Sequence, residues 1–336
     1  MVLTRQQMTH QNTAVDKASW SRRQFLALVM GSAGGMTLAG CQTGNFNKVA
    51  AATRSRAKTP QLSIGLLADC QYAPTPTPPD GQRHYLHSPQ KLAQCVAEMN
   101  RIRPRLIVHL GDFIDRGWNS LDVVDPIFAQ LRMPRYQVLG NHDFDVEPQK
   151  KSLVRSRLGM PADYYSFLRS PWRFVVLDGT QVGLPRLIQD TPEYQAMIHE
   201  IERMRPTAAN PQALQTWNGA LGSPQRTWLE QQLQHARQRR QRVIIFCHFP
   251  ILPVDAHVLW DQTEVLRILA CHKHVAAWIN GHNHQGAYAR HGGIHCLTLK
   301  GMVDTADNAF ALMKLFPDRL ELEGYGRQES RILGLT

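Results

Sequence analysis

Five short apolar runs in this chain each break into a polar cluster of the same chemical kind, and that repetition constrains the fold more than any single motif. Leu62-Ser63-Ile64-Gly65-Leu66-Leu67-Ala68 ends in Asp69-Cys70-Gln71. Leu106 to Leu110 ends in Gly111-Asp112, and Val138-Leu139 in Gly140-Asn141-His142-Asp143. Val243 to Cys247 ends in His248, and Val275 to Ile279 in Asn280-Gly281-His282-Asn283-His284. Runs of this length, bounded by glycine and turn residues, read as buried strands. Open α/β sheets carry their chemistry at the carboxyl ends of such strands. One polar cluster alone reads equally well as a solvated turn, because Asn and Asp bond their own backbone there. The same donors at strand after strand point to a site.

Helical patterns separate the runs. Leu92, Val96 and Met99 recur at helical spacing between Ser88 and Arg101, and a second helix is expected over Leu121 to Leu131. Ser223 reads as an N-cap with Pro224 at the first helical position, ahead of Trp228, Leu229 and Leu233. A further helix falls near Thr263 to Cys271. Tyr164–Phe167 and Phe174–Asp178 read as neighbouring strands, and Ile294–Leu299, Phe310–Phe316 and Leu320–Tyr325 as closing antiparallel ones, the last two joined through Pro317-Asp318. The fold class is therefore α/β. Thr180 to Gly222 has no clear period and is expected to be an irregular lid or binding loop. The proline-rich loop from Tyr72 to His84 faces the same end of the strands.

The amino terminus reads as an address. Ser21-Arg22-Arg23-Gln24-Phe25-Leu26 opens an apolar, glycine-rich stretch that closes on Leu38-Ala39-Gly40-Cys41. It resembles a twin-arginine export signal followed by a lipobox. That resemblance implies a signal over residues 1–40, acylation of Cys41, a polar tether over 41–60 and a catalytic domain over 61–336. The mature protein would then be periplasmic and held to a membrane through its lipid anchor. The formal charge is +11; with the four bases and one acid of residues 1–40 set aside from 38 and 27, 34 bases face 26 acids, a net of +8. Such a balance suits an anionic partner. No arginine-rich stripe interleaved with aromatics is present, so nucleic acid is not an expected partner. Cys70, Cys95, Cys247, Cys271 and Cys296 form no Cys-x-x-Cys pair and read as free thiols, with Cys70 and Cys247 as apolar packers.

The polar clusters offer carboxylate, amide and imidazole donors without thiolate, the set that suits a hard or borderline divalent metal. His282 and His284, spaced by one residue, can serve two ions a few ångströms apart with Asp112 between them. The order Asp-x-Gln, Gly-Asp-x-x-Asp, Gly-Asn-His-Asp, His-x-Pro and Gly-His-x-His resembles the calcineurin-like metallophosphoesterases. That resemblance implies a two-sheet αββα sandwich with a dinuclear centre at the strand carboxyl ends. Most members carry His where Gln71 stands. Gln71 and the blocks Ala68–Tyr72, Arg83–Ser88, Trp217-Asn218-Gly219 and Asn280–Gly286 are similar to the manganese-dependent ADP-ribose/CDP-alcohol diphosphatase branch.

Carried over, the resemblance implies Asp69, Gln71, Asp112 and His284 around one ion and Asp112, Asn141, His248 and His282 around the other. Two divalent ions set against two carboxylates and a bridging hydroxide leave about +1 facing a phosphate. The hydroxide would attack a phosphoanhydride of a nucleoside diphosphate-linked substrate. His142 would donate to the leaving or phosphate oxygen and Asp115 would orient it, while Asn141 also faces the substrate. Arg116 departs from the branch: Gly-Asp-x-x-Asp-Arg-Gly is commoner in protein serine/threonine phosphatases, and it suggests a forked phosphate donor. Arg116 keeps a broader phosphomonoesterase or phosphodiesterase open, and a non-catalytic nucleotide binder would be expected to show a broken ligand set. Gln71 in place of an imidazole hardens one site toward Mn2+, with Mg2+ or Fe also admissible, and away from Zn2+. Asp143 receives no chemistry beyond a turn or supporting role.

Overall fold

The structure, a computed structural model, describes residues 58–78 and 81–335. The export signal, the lipobox with Cys41 and all of the tether before Lys58 lie outside the described residues. The strands are β1 Leu62–Leu67, β2 Leu106–His109, β3 Arg135–Gln137, β4 Tyr165–Arg169, β5 Trp172–Val176, β6 Val182–Gly183 and β7 Gly219–Ala220. They continue with β8 Arg242–Phe246, β9 Val275–Asn280, β10 Gln285–His291, β11 Ile294–Lys300, β12 Ala309–Leu315, β13 Arg319–Gly326 and β14 Arg331–Gly334. The main helices are α1 Ser88–Ile102, α2 Leu121–Phe128, α3 Pro192–Met204, α4 Gly222–Gln238 and α5 Gln262–Ala270.

Two six-stranded sheets form, in the orders β14-β13-β12-β1-β2-β3 and β10-β11-β9-β8-β5-β4. Within the first, β1, β2 and β3 run parallel; within the second, β5, β8, β9 and β11 do. Alternation along each strand sorts the layers. Ile64, Leu66 and Val108 face Phe174, Phe246 and Ile279 across the gap between the sheets. Leu67 and Ile107 point the other way, onto Leu92, Val96 and Met99 of α1 and Val124 of α2. On the far side Val243, Ile245 and Trp278 meet Leu229 and Leu233 of α4 and Val265 of α5. Strands covered on both faces read as continuous apolar runs, which is why they are visible in the sequence. The product is the expected αββα sandwich.

Three expectations are corrected. The segment over Thr180–Gly222 is not irregular: Thr191 caps α3 by accepting from the Tyr194 N–H at 3.3 Å, and Pro192 opens the first turn. Ile201 and Met204 of α3 pack on Leu184 and Leu214 in a small core of their own, and β6 pairs with β7 to pin the two ends of the segment together. The helical face consists of isolated apolar residues among Gln, His and Glu, too dilute to show a period. Ser223 is not the cap of α4, which begins at Gly222 with Leu221 in the cap position and no side-chain cap bond. α2 stops at Phe128, short of Leu131, because the chain tightens into i→i+3 bonds from Gln130 to Ile127 and from Leu131 to Phe128. The edge strands β10 and β14 were not foreseen; β10 is largely polar and half-exposed, so it carries no buried face to read.

Candidate metal and phosphate site

The carboxyl ends of β1, β2, β8 and β9, with the turn after β3, meet at one end of the sandwich. Each strand must turn sharply there for its polar residues to fold back into the crevice. Asp69, Gln71, Asp112 and His282 do so in the left-handed region, with φ of 53°, 42°, 56° and 71°. Non-glycine residues held there cost of order 1–3 kcal/mol each and concentrate at functional sites. Glycines make room for the result. Gly111, at φ 98°, lies so close to His248 that a Cβ would come within 2.6 Å of its Nδ1. A Cβ on Gly140 would collide with the carboxylate and backbone nitrogen of Asp112.

Asp112, His248 and His282 are buried with ligand atoms within 4.8 Å of one another. His248 Nδ1 donates to the Leu110 carbonyl at 2.8 Å, which leaves Nε2 facing Asp112 Oδ2 at 3.1 Å and Asp69 Oδ1 at 4.0 Å. His282 Nε2 is engaged by Asn218 Oδ1 at 2.8 Å, leaving Nδ1 for the crevice. His284 Nδ1 is held by Asp304 Oδ1 at 2.9 Å, and its Nε2 lies 3.5 Å from Asp69 Oδ1. Gln71 donates its Nε2 to Asp112 Oδ2 at 3.0 Å. Its Oε1 and the Oδ1 of Asn141 are buried without hydrogen-bond partners. Buried orphans of this kind are costly unless something binds them. Two orphaned amide oxygens turned into one crevice beside the carboxylates of Asp69 and Asp112 fit divalent cations, so the residues present suit the implied metals. All seven expected ligands, Asp69, Gln71, Asp112, Asn141, His248, His282 and His284, come to this end of the sandwich.

The electrostatics agree. Burial alone would raise the Asp112 carboxyl, but the imidazoles of His248 and His142 outweigh it and hold the group far below the carboxylate range. Burial would lower His248, yet the charge and hydrogen bond of Asp112 push it up to about 9. His284 is likewise pushed up to about 9, burial being overcome by Asp69 and Asp304. His282 lies well below its usual value through burial and the neighbouring His248. The same negative potential that attracts protons to His248 and His284 attracts metal ions.

His142 and its neighbours line one wall. Its Nδ1 lies 3.1 Å from Asp145 Oδ2, 3.3 Å from the Asp115 carbonyl and 3.6 Å from Asp115 Oδ1. Asp145 is thus the nearer carboxylate, and Asp115 instead carries two guanidiniums, with Arg116 Nε at 2.6 Å and Arg83 Nη1 at 3.5 Å. Burial lowers the His142 imidazole, but Asp112 and the Asp145 bond outweigh it and the net shift is upward. The Asp143 carboxylate accepts from the backbone N–H groups of Phe113 at 2.8 Å, Gly140 at 2.9 Å and Asp112 at 3.1 Å. It ties the turns after β2 and β3 into one unit. Beside Asn141 and His142 opens a cavity of about 610 Å3, walled by Phe144, Lys151, Leu184, Tyr194 and Trp217.

Sequence reasoning gave no role to Asp304, Asn218, Asp145 or Arg83, although Arg83 and Asn218 stand in blocks that carry the branch resemblance. Asp304 had a usable signal: it follows an apolar run, Ile294–Leu299, and a glycine, Gly301, the pattern of the other strand ends. Asn218 stands in the block Trp217-Asn218-Gly219 that carries the branch resemblance, but its partner was hidden because its contact with His282 spans 64 residues.

The fold and the ligand set define a metal-dependent phosphoesterase. The calcineurin-like phosphoesterase family matches residues 62–286, and the chain belongs to that family. It is 29% identical over 320 residues to the manganese-dependent ADP-ribose/CDP-alcohol diphosphatase of Bos taurus, covering 81% of this chain and 94% of that one. The protein of the same name from Oryza sativa subsp. japonica is 32% identical over 304 residues, covering 80% and 92%. A solved dimetal phosphatase from Danio rerio superposes with a TM-score of 0.73 at 27% identity, covering 82% of this chain and all of its own. The chain is a phosphoric ester or anhydride hydrolase, and two divalent metal ions are its cofactors.

Proposed function

We propose that this enzyme cleaves the phosphoanhydride of nucleoside diphosphate-linked small molecules, ADP-ribose and CDP-alcohols among them, with manganese in both metal positions. The observation that carries the reading is the orphaned amide oxygen of Gln71 beside a complete set of ligands, the feature that separates this branch from relatives with an imidazole there. Asp69, Gln71, Asp112 and His284 hold one ion, and Asp112, Asn141, His248 and His282 the other. Bound there, the ions would supply a lowered water pKa and positive charge to stabilise a displacement at phosphorus. His142, with Nδ1 directed to Asp145, presents Nε2 as the donor to the leaving or phosphate oxygen. Arg83 and Arg116, held on Asp115, offer guanidiniums to the substrate phosphates. The cavity beside Asn141, with Tyr194 and Trp217 in its walls, accommodates a nucleoside.

Product analysis separates the readings. Hydrolysis of ADP-ribose with Mn2+ should yield AMP and no free phosphate, whereas release of phosphate from simple esters at a higher kcat/KM would favour a monoesterase. His142→Ala should lower kcat by about 10²–10⁴ with both ions retained; loss of metal instead would place His142 among the ligands. The twin-arginine and lipobox resemblance supports export to the periplasm with Cys41 acylated. Fractionation checks this: Cys41→Ser should shift the protein from membrane to soluble fractions.

A further inference from the structure

We propose that the end of the sandwich opposite the crevice is a docking face for an anionic lipid surface, so that the crevice opens away from the membrane. The proposal rests on the lipid-anchor reading only for bringing the protein to a bilayer. Because the parallel strands of both sheets send their carboxyl ends to one crevice, their amino ends share the opposite face. That face is entered through bases. Arg103 and Arg105 lead into β2, Arg132 into β3, Arg239 and Arg240 into β8, and Lys273 into β9, and all of these are exposed.

Of the acids near this face, Glu98 pairs with Arg101, and Asp318 and Glu321 with Arg319, while Glu230 lies by His272. Among the described residues none of the six leading bases has an ion-pair partner. Helix carboxyl ends favour a base or two for their dipoles, but Arg105 and the Arg239-Arg240 pair exceed that need. Arg101, Arg103 and Arg132, with Asn100 and Gln130, line an open groove of about 610 Å3. The chain also enters the fold on the basic face, at Lys58 before β1, so an anchor at Cys41 would draw this face toward the bilayer. Among the described residues no aromatic stands with the exposed large apolar side chains, so the face lacks the stacking platform that single-stranded nucleic acid uses.

Each base close to an anionic leaflet multiplies the partition about fivefold, within a Debye length and less so in salt. The test uses residues 58–336, which hold both sheets, their helices and all seven expected ligands and lack Cys41. This protein should sediment with phosphatidylglycerol/phosphatidylethanolamine vesicles at low ionic strength, be released by salt, and ignore phosphatidylcholine vesicles. The combined Arg103→Gln, Arg105→Gln, Arg239→Gln, Arg240→Gln variant should lose at least about tenfold in partition and keep its hydrolysis of soluble substrate; Arg203→Gln, in α3, should change neither. Equal binding to neutral vesicles, undiminished binding by the fourfold variant, or capture of a single-stranded oligonucleotide in place of vesicles would overturn the proposal. Acylation is read separately from the mass of the mature full-length protein, so failure of the anchor and failure of the docking face give different results.

Discussion

At the scale of residues, the centre is a set of donors made available by what holds their other atoms. His248 gives Nδ1 to a carbonyl, His284 gives Nδ1 to Asp304 and His282 gives Nε2 to Asn218, so each imidazole has its second nitrogen assigned to the crevice. Such outer contacts fix tautomer and ring orientation. They also set a pH dependence. His248 and His284, both near 9, are protonated at neutral pH, and a metal ion must displace those protons to bind. Apparent manganese affinity should therefore tighten as pH rises toward about 9, by up to about tenfold per unit for each proton released, and level off above it. Calorimetric titration in buffers of different ionisation enthalpy measures the protons directly; affinity that falls with rising pH would contradict the assignment.

At the scale of elements, α1 reaches the site through one buried lysine. Lys91, 3% exposed, sends its ammonium to the carbonyls of Met302, Val303 at 3.2 Å and Thr305 at 3.0 Å. That loop returns two backbone bonds, Met302 to Ala68 and Val303 to Asp69, both at 2.9 Å, and carries Asp304 to His284. Lys91 thereby positions two ligands assigned to the same ion. Lys91→Met should weaken that ion by about 10–100-fold, and Asp304→Asn should do the same, while the ion at Asn141, His248 and His282 stays. Electron paramagnetic resonance reads this as uncoupled manganese at half occupancy; equal loss of both ions would mean a general structural defect. α3, with its own core at the mouth of the cavity, is the element through which the 180–222 segment bears on substrate choice.

At the scale of the whole molecule, Asp69, Asp112 and Asn141 come from one sheet and His248, His282 and His284 from the other, so bound ions staple the two halves. Chelation should lower the melting temperature by roughly 5 °C relative to the protein at saturating metal. Asp112→Asn should abolish the difference and His142→Ala should keep it; a scan unmoved by chelator would show that the ions do not bridge the sheets. The central strands and the polar positions at their ends were legible because burial on both faces leaves unbroken apolar runs whose ends stand out as polar. α3, β10 and β14 were not, since a dilute helical face and polar edge strands carry no period. The sequence by itself determined which side chains could ligate, because donor chemistry belongs to residue types at strand ends. Only the tertiary structure decided which atoms of those side chains face the crevice, that Asp145 lies nearer His142 than Asp115 does, and that Asp143 clamps two turns. Those depend on contacts between segments distant in the chain, fixed by how the two sheets pack.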